Sequence, residues 1–189
     1  MKIILASRSP RRRRLLRDMG INFKVVPSDA DESKVDSDVP RDMVRKLAML
    51  KAATVANGMR EHALVIGADT VVVIDNEIIG KPGGKRSAKE TLSRLSGREH
   101  YVYTGICVIN TKTGNVYTDV QKTKVQFREL SGREINRCLE MDHTLDGAGS
   151  YMIQDQPFLI KSIEGSFSNV VGLPMEKLVP ILRENGADI

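Results

Sequence analysis

Apolar residues fall into two rhythms along this chain. Short unbroken apolar runs, bounded by glycine, proline or charge, alternate with stretches in which apolar residues recur every three or four positions. The first pattern marks buried strands and the second amphipathic helices. Lys2 to Ala6 reads as a buried strand, and Ser9 with Pro10 supplies an N-cap and first helical residue for a helix that Gly20 closes. A second strand starts over Phe23 to Val26. An acidic, serine-containing loop from Ser28 to Asp38 leads to a helix beginning near Pro40, where Met43, Leu47 and Leu50 form a core-facing stripe that ends around Asn57 and Gly58.

Ala63 to Ile74 is the most apolar run, and Asp69 is its single charge. The run turns through Asp75-Asn76 into Glu77-Ile-Ile-Gly80, a hairpin signal. Ser87 and Glu90 match a capping box for a short helix ending at Gly97. Glu99 to Asn110 and Val116 to Phe127, joined through Thr113-Gly114-Asn115, read as a long antiparallel hairpin. Ser131 with Glu134 repeats the capping box before a helix to about Met141. A loop from Asp146 to Gly149 leads into Tyr151 to Gln154; a strand follows around Phe158 to Ile163, and a last helix runs from Pro174 to Gly186 with Pro180 bending it or shortening its first part. Early alternation of strands and helices, then a hairpin, predicts an α/β protein with a mixed sheet flanked by helices.

The length of 189 residues suits one domain over 1–189, in two small lobes at most. Apolar residues at 41% and charged residues at 28% are ordinary for a soluble protein. The chain has no Trp, and its four Tyr and four Phe are scattered, which argues against the stacking platform of a single-strand nucleic-acid binder. A net charge of +5 favours anionic partners without choosing among them. Cys107 and Cys138 lack a Cys-x-x-Cys partner, against a zinc or redox pair and for a reducing compartment. The N-terminal apolar run precedes a block of arginines, the reverse of a signal peptide's order, and no apolar stretch is long enough to cross a bilayer. These features predict a soluble, cytoplasmic protein with no membrane partner.

Candidate chemistry starts at the first strand–helix junction, where Arg11, Arg12, Arg13 and Arg14 occupy the helix's first turns. A helix N-terminus favours anions, so cations there either gather an anion or form a solvated basic face, and at most two of the four can face one ligand. Asp69 within an apolar run requires a cation, a metal or several donors, or else lies at a strand end making turn hydrogen bonds. Glu32 lies in an exposed-looking acidic loop, Lys51 interrupts an apolar helix stripe, and Lys81 precedes a proline; each alone reads as a surface residue. Gly83-Gly84-Lys85 is followed by Arg86 where a Walker A loop needs a hydroxyl, and His62, His100 and His143 have no metal-ligand spacing. Glu32 and Asp69, with cationic side chains and a serine-capped helix start, are the parts for a magnesium-assisted reaction at phosphate.

Leu5-Ala-Ser-Arg-Ser-Pro-Arg-Arg12, Leu47-Ala-Met-Leu-Lys-Ala52, Gly67-Ala-Asp-Thr-Val-Val72, Gly80-Lys-Pro82, Thr104-Gly105, Ala148-Gly-Ser-Tyr-Met-Ile-Gln154 and Gly165-Ser-Phe-Ser-Asn-Val-Val-Gly-Leu-Pro174 resemble, in order, the signature blocks of the Maf family of nucleotide pyrophosphatases. The resemblance spans nearly the whole chain. It implies a two-lobed α/β fold like that of inosine triphosphate pyrophosphatases, an active cleft between lobes and often a homodimer. It also implies hydrolysis of a nucleoside triphosphate between its α and β phosphates, with a divalent cation, Mg²⁺ or Mn²⁺. Carried over by position, Ser7, Arg11, Arg12, Lys51 and Lys81 resemble the triphosphate cradle, Asp69 the general base or metal ligand, and Glu32 its acidic partner.

Arg12, Thr70 and Gln154 resemble the specificity positions of the branch acting on dTTP and UTP. A Gln amide can donate to and accept from a uracil edge, whereas cytosine presents the opposite pattern. Gly147, Met152 and Asp155 depart from the usual family residues beside Gln154. Other readings are the same reaction on another base such as 7-methyl-GTP, or a nucleotide- or nucleic-acid-binding regulator of cell division without turnover. The acidic stretch from Asp29 to Asp38 and the missing aromatic platform weigh against a nucleic-acid partner.

Overall fold

Side chains on both faces of the first strand are apolar, and the chain uses both. The computed structural model describes residues 1–141 and 144–189, so His143 lies outside the described residues. In chain order the elements begin with β1 (Lys2–Leu5), α1 (Pro10–Asp18), β2 (Lys24–Val25), α2 (Pro40–Asn57), β3 (Ala63–Ile74) and β4 (Glu77–Ile79). They continue with α3 (Lys85–Leu95), β5 (Glu99–Asn110), β6 (Val116–Phe127), α4 (Gly132–Glu140), β7 (Ile160–Glu164), α5 (Phe167–Val171) and α6 (Met175–Glu184). Strands hydrogen-bond in the order β2-β1-β3-β5-β6-β7, with β4 paired to β3, so the described residues form a seven-stranded mixed α/β sheet.

The chain divides into two compact units, the first of Met1–Asp69, Thr104–Gln121 and Gly172–Ile189, the second of Thr70–Tyr103 and Lys122–Val171. In the first unit β1 runs parallel to β2 and to β3, with Lys2 opposite Ala63 and Leu5 opposite Ile66. Because successive strand residues point to opposite faces, Ile3 and Leu5 join Leu16, Ile66, Leu178 and Leu182 in one core while Ile4 and Ala6 join Ala48, Ala52 and Val65 in another. Burial on both faces explains the unbroken apolar run.

In the second unit β3 turns back into β4 through Asp75 (φ 53°) and Asn76 (φ 62°), the paired left-handed residues of a type I′ hairpin turn. The box predicted at Ser131 forms: Ser131 Oγ accepts from the Glu134 amide, and the Glu134 carboxylate accepts from the Ser131 amide at 2.8 Å. Strand β7 is antiparallel to β6.

Several elements differ from the sequence expectation. The stripe of α2 that is buried is Val44, Leu47, Ala48, Ala52 and Val55, while Met43 and Leu50 are only half-buried. Helix α2 approaches the sheet too closely for large side chains: a Cβ on Gly67 would stand 2.1 Å from the Ala48 carbonyl oxygen, and one on Gly105 2.3 Å from that of Val44. Helix α3 begins at Lys85, two residues before the predicted cap, and Ser87 Oγ accepts instead from the Gly83 amide at 3.2 Å. The second strand shrinks to Lys24–Val25, and the predicted strand from Phe158 starts at Ile160 after a single 3₁₀ turn, Pro157–Leu159. Helix α5 has no counterpart in the sequence reading. No helix among the described residues is long and apolar enough to cross a membrane.

Candidate active site

Asp69 lies inside β3 and not at a strand end. It shares a face with Gly67, two residues earlier, and that face is the one pressed against α2. The close approach brings Lys51 of α2 beside it. Lys51 Nζ is 2.6 Å from Asp69 Oδ1 and 3.0 Å from Glu32 Oε1, so one ammonium bridges both carboxylates. The Lys51 and Asp69 side chains are 14% and 13% exposed, whereas Glu32 is 55% exposed at the rim. Glu32 is delivered by a single 3₁₀ turn, Glu32–Lys34, whose preceding Asp31 accepts from the Ser33 amide at 3.3 Å.

A second group of contacts forms where β1 meets α1. Ser9 caps the helix, its Oγ accepting from the Arg12 amide at 3.4 Å, and Pro10 occupies the first helical position. Ser7, 7% exposed, accepts from the Ser9 amide and from Arg12 Nη1, both at 3.2 Å. Arg12 also donates from Nη1 to the Ala68 carbonyl (2.9 Å) and from Nε to the Gly172 carbonyl (2.7 Å). Its guanidinium therefore ties the helix start to the residue preceding Asp69 and to the chain entering α6. Burial lowers the Arg12 pKa from its usual value, and the charge of Asp69, then that of Glu32, works against that lowering while Arg11 adds to it. Arg14 is exposed and pairs with Asp18, while Arg12 donates into this cluster.

The first unit thus joins Ser7 to Arg12, and Glu32 and Asp69 to Lys51, with Arg11 half-buried in the first turn of α1. Thr70, Lys81 and Gln154 belong to the second unit. Thr70 is half-buried in β3, Lys81 is exposed just after β4, and Gln154 is half-buried in the turn between Met152 and Gln156. The carbonyls of Ala68 and Gly172, which aim Arg12, were missed by sequence reasoning. Gly172, with φ 115°, carried the one usable signal, as the glycine of Gly172-Leu-Pro174 before a helix.

Among the described residues no group of three or more His, Cys, Asp or Glu side chains converges as a metal cage. Asp69 and Glu32 still fit a hard divalent cation, because Mg²⁺ is commonly held by one or two carboxylates with water and substrate phosphate completing the shell. Cys107 and Cys138 are buried thiols outside any disulfide, and burial raises their pKa values to about 12 and about 11, so neither is a thiolate nucleophile.

Solved structures share this architecture. The Staphylococcus aureus Ham1 protein superposes with a TM-score of 0.55 over 97% of this chain and 99% of its own, at 10% identity. A HAM1 protein from Coxiella burnetii gives 0.51 over the same shares at 15% identity. The fold is therefore that of the Ham1 class of mixed α/β proteins. The family model described as Maf-like protein matches residues 2–185, and this chain belongs to the Maf family. Curated relatives include proteins named dTTP/UTP pyrophosphatase from Syntrophus aciditrophicus, 43% identical over 98% of this chain and 91% of the relative, and from Thermoanaerobacter sp. strain X514, 44% identical over 97% and 96%. A third, from Pelotomaculum thermopropionicum, carries the same name at 41% identity over 100% of this chain and 98% of its own.

Proposed function

We propose that the chain is a nucleoside triphosphate pyrophosphatase that hydrolyses the α–β phosphoanhydride of dTTP and UTP, giving the monophosphate and pyrophosphate. The observation that carries the reading is the Lys51 ammonium shared by Asp69 and Glu32, in a family whose relatives at 41–44% identity bear that activity in their names.

Phosphoryl transfer asks a protein mainly for positioning and charge. Asp69 orients the attacking water and accepts its proton, while Lys51 and the helix start at Ser7, Arg11 and Arg12 offer donors to the phosphate oxygens. Lys81 adds a further cation to the triphosphate. Asp69 and Glu32 would hold Mg²⁺ or Mn²⁺, which when bound screens the negative charge of the phosphates and acidifies water. Arg12, Thr70 and Gln154 set the base preference. A cytoplasmic location and a homodimer complete the proposal.

Purified protein with UTP and Mg²⁺ tests this reading. UMP and pyrophosphate in equal amounts are expected, with faster turnover of dTTP and UTP than of ATP, GTP or CTP. UDP with orthophosphate, or no turnover of any triphosphate, overturns it.

A further inference from the structure

The segment that carries Gln154 is pinned inside the second unit by groups that the proposed reaction does not use. Gly149 (φ 71°) and Ser150 (φ 62°) are consecutive left-handed residues, and the Gly149 amide donates to the Gly80 carbonyl at 3.2 Å. A Cβ on Gly149 would meet Val72 Cγ2 at 2.8 Å, so the turn lies flush against β3. Tyr151 follows, 6% exposed, and its hydroxyl lies 2.9 Å from Nε2 of His100, which is 1% exposed on β5. Phe127 packs edge-on against both rings, each at 4.9 Å. Beyond Tyr151, the Met152 amide donates to Gln156 Oε1 at 2.8 Å and the Gln156 amide to the Met152 carbonyl at 2.8 Å, which closes the turn bearing Gln154.

His100 contributes more than ring volume. Its Nδ1 is buried with no partner among the described residues, so the bond to Tyr151 is the polar contact that repays part of its desolvation. Burial pushes the His100 pKa down to about 4 and raises that of Tyr151, which leaves a neutral imidazole facing a neutral phenol at physiological pH. An aliphatic or phenyl side chain would fill this site without leaving a buried nitrogen unpaired. Gly147 packs into the same neighbourhood: a Cβ on it would stand 2.7 Å from the Tyr151 carbonyl oxygen and 3.2 Å from Met152 Cε.

A carboxamide offers a donor beside an acceptor and reverses that order when it turns over. It therefore separates uracil from cytosine only if its place relative to the base edge is held. We infer that His100 is a positioning residue, whose hydrogen bond to Tyr151 holds the Gln154 turn and thereby sets the preference for UTP over CTP. This inference rests on the assignment of Gln154 to base recognition made above.

The test compares kcat/KM for UTP and CTP in the wild-type enzyme, in Tyr151→Phe, in His100→Phe and in the double variant, with hydrogen exchange of the amides at 152–155 as a readout independent of turnover. Each single variant is expected to lower the UTP/CTP ratio about tenfold, the factor that about 1.4 kcal/mol represents, and to speed exchange at 152–155. The double variant is expected to be no worse than either single one, because both remove the same bond. His100→Gln, whose amide nitrogen can reach the phenol, is expected to keep more of the ratio than His100→Phe. A wild-type enzyme that prefers UTP while Tyr151→Phe keeps both its ratio and its exchange protection overturns the positioning role. A wild-type enzyme that hydrolyses UTP and CTP equally overturns instead the base-reading assignment on which the inference rests.

Discussion

Lys51 Nζ stands 2.6 Å from Asp69 Oδ1, and both side chains are more than four-fifths removed from solvent. A largely buried carboxylate in the middle of a strand is tolerated because a cation from the facing helix meets it there, and the same ammonium reaches Glu32 at 3.0 Å. Charge in this place costs stability and concentrates three reactive groups, which is the pattern of a functional site more than of a structural one.

Removing the cation should hurt more than removing one anion. Lys51→Met leaves Asp69 and Glu32 facing each other without their shared partner, and a loss of about 3 kcal/mol is expected, as for breaking a buried pair from one side. Asp69→Asn leaves Lys51 its Glu32 partner and should cost less. Urea unfolding of the two variants checks the order, and turnover of UTP by Lys51→Met should fall at least about a hundredfold.

The placing of Lys51 depends on glycine. Gly67→Ala drives a methyl into the Ala48 carbonyl and the Ala52 amide, so α2 must shift off β3 and take Lys51 with it. Thermal melting should show a loss of about 1–3 kcal/mol, with a fall in kcat that exceeds it. Gly83→Ala, where an added Cβ meets nothing within 4 Å, should leave both unchanged.

Asp69 was visible in the sequence as the one charge in an apolar run, and so was the choice it posed between a strand end and a paired charge. The choice turned on α2, whose approach to the sheet is set by Gly67 of β3 against Ala48 and Ala52 and by Gly105 of β5 against Val44. Hydrophobic periodicity favours large residues, so it put Met43 and Leu50 where the contact admits only small ones. Ser87 and Glu90 satisfy a capping pattern, yet the helix starts at Lys85, because local spacing does not say which turn the preceding glycines will allow. Spacing alone could not separate Arg12 from its three neighbours, and only the resemblance named it, since the carbonyls that aim it belong to Ala68 and Gly172, 56 and 160 residues away. The strands and turns over Asp75-Asn76 and Thr113 to Asn115 were legible because alternation and turn chemistry agree there.

Arg12 is a brace as well as a candidate substrate contact. Arg12→Ala removes bonds to Ala68, Gly172 and Ser7, and melting should fall by about 2 kcal/mol together with a change in the ranking of nucleotides. Arg12→Lys should recover little of either, because an ammonium lacks the planar fork that reaches two carbonyls at once.

Stability should weaken on acidification through His100. Its folded pKa of about 4 lies below the ordinary value of 6.5, with burial as the cause, so between these values the unfolded chain binds the extra proton. The contribution is fully present above pH 6.5 and is lost as pH falls from 6.5 through about 4, by up to about 3 kcal/mol. Unfolding free energies measured from pH 7 to pH 4 should show this slope in the wild type, and His100→Phe should flatten it.

The most direct test of the account is the turnover of UTP by Asp69→Asn beside the wild-type enzyme, with equal far-ultraviolet spectra and melting within a few degrees establishing a common fold. A fall in kcat of at least about a thousandfold is expected, because the substitution removes the carboxylate proposed as general base while hardly changing volume. Turnover within a few-fold of wild type would contradict it and remove the Lys51–Asp69–Glu32 cluster from the chemistry.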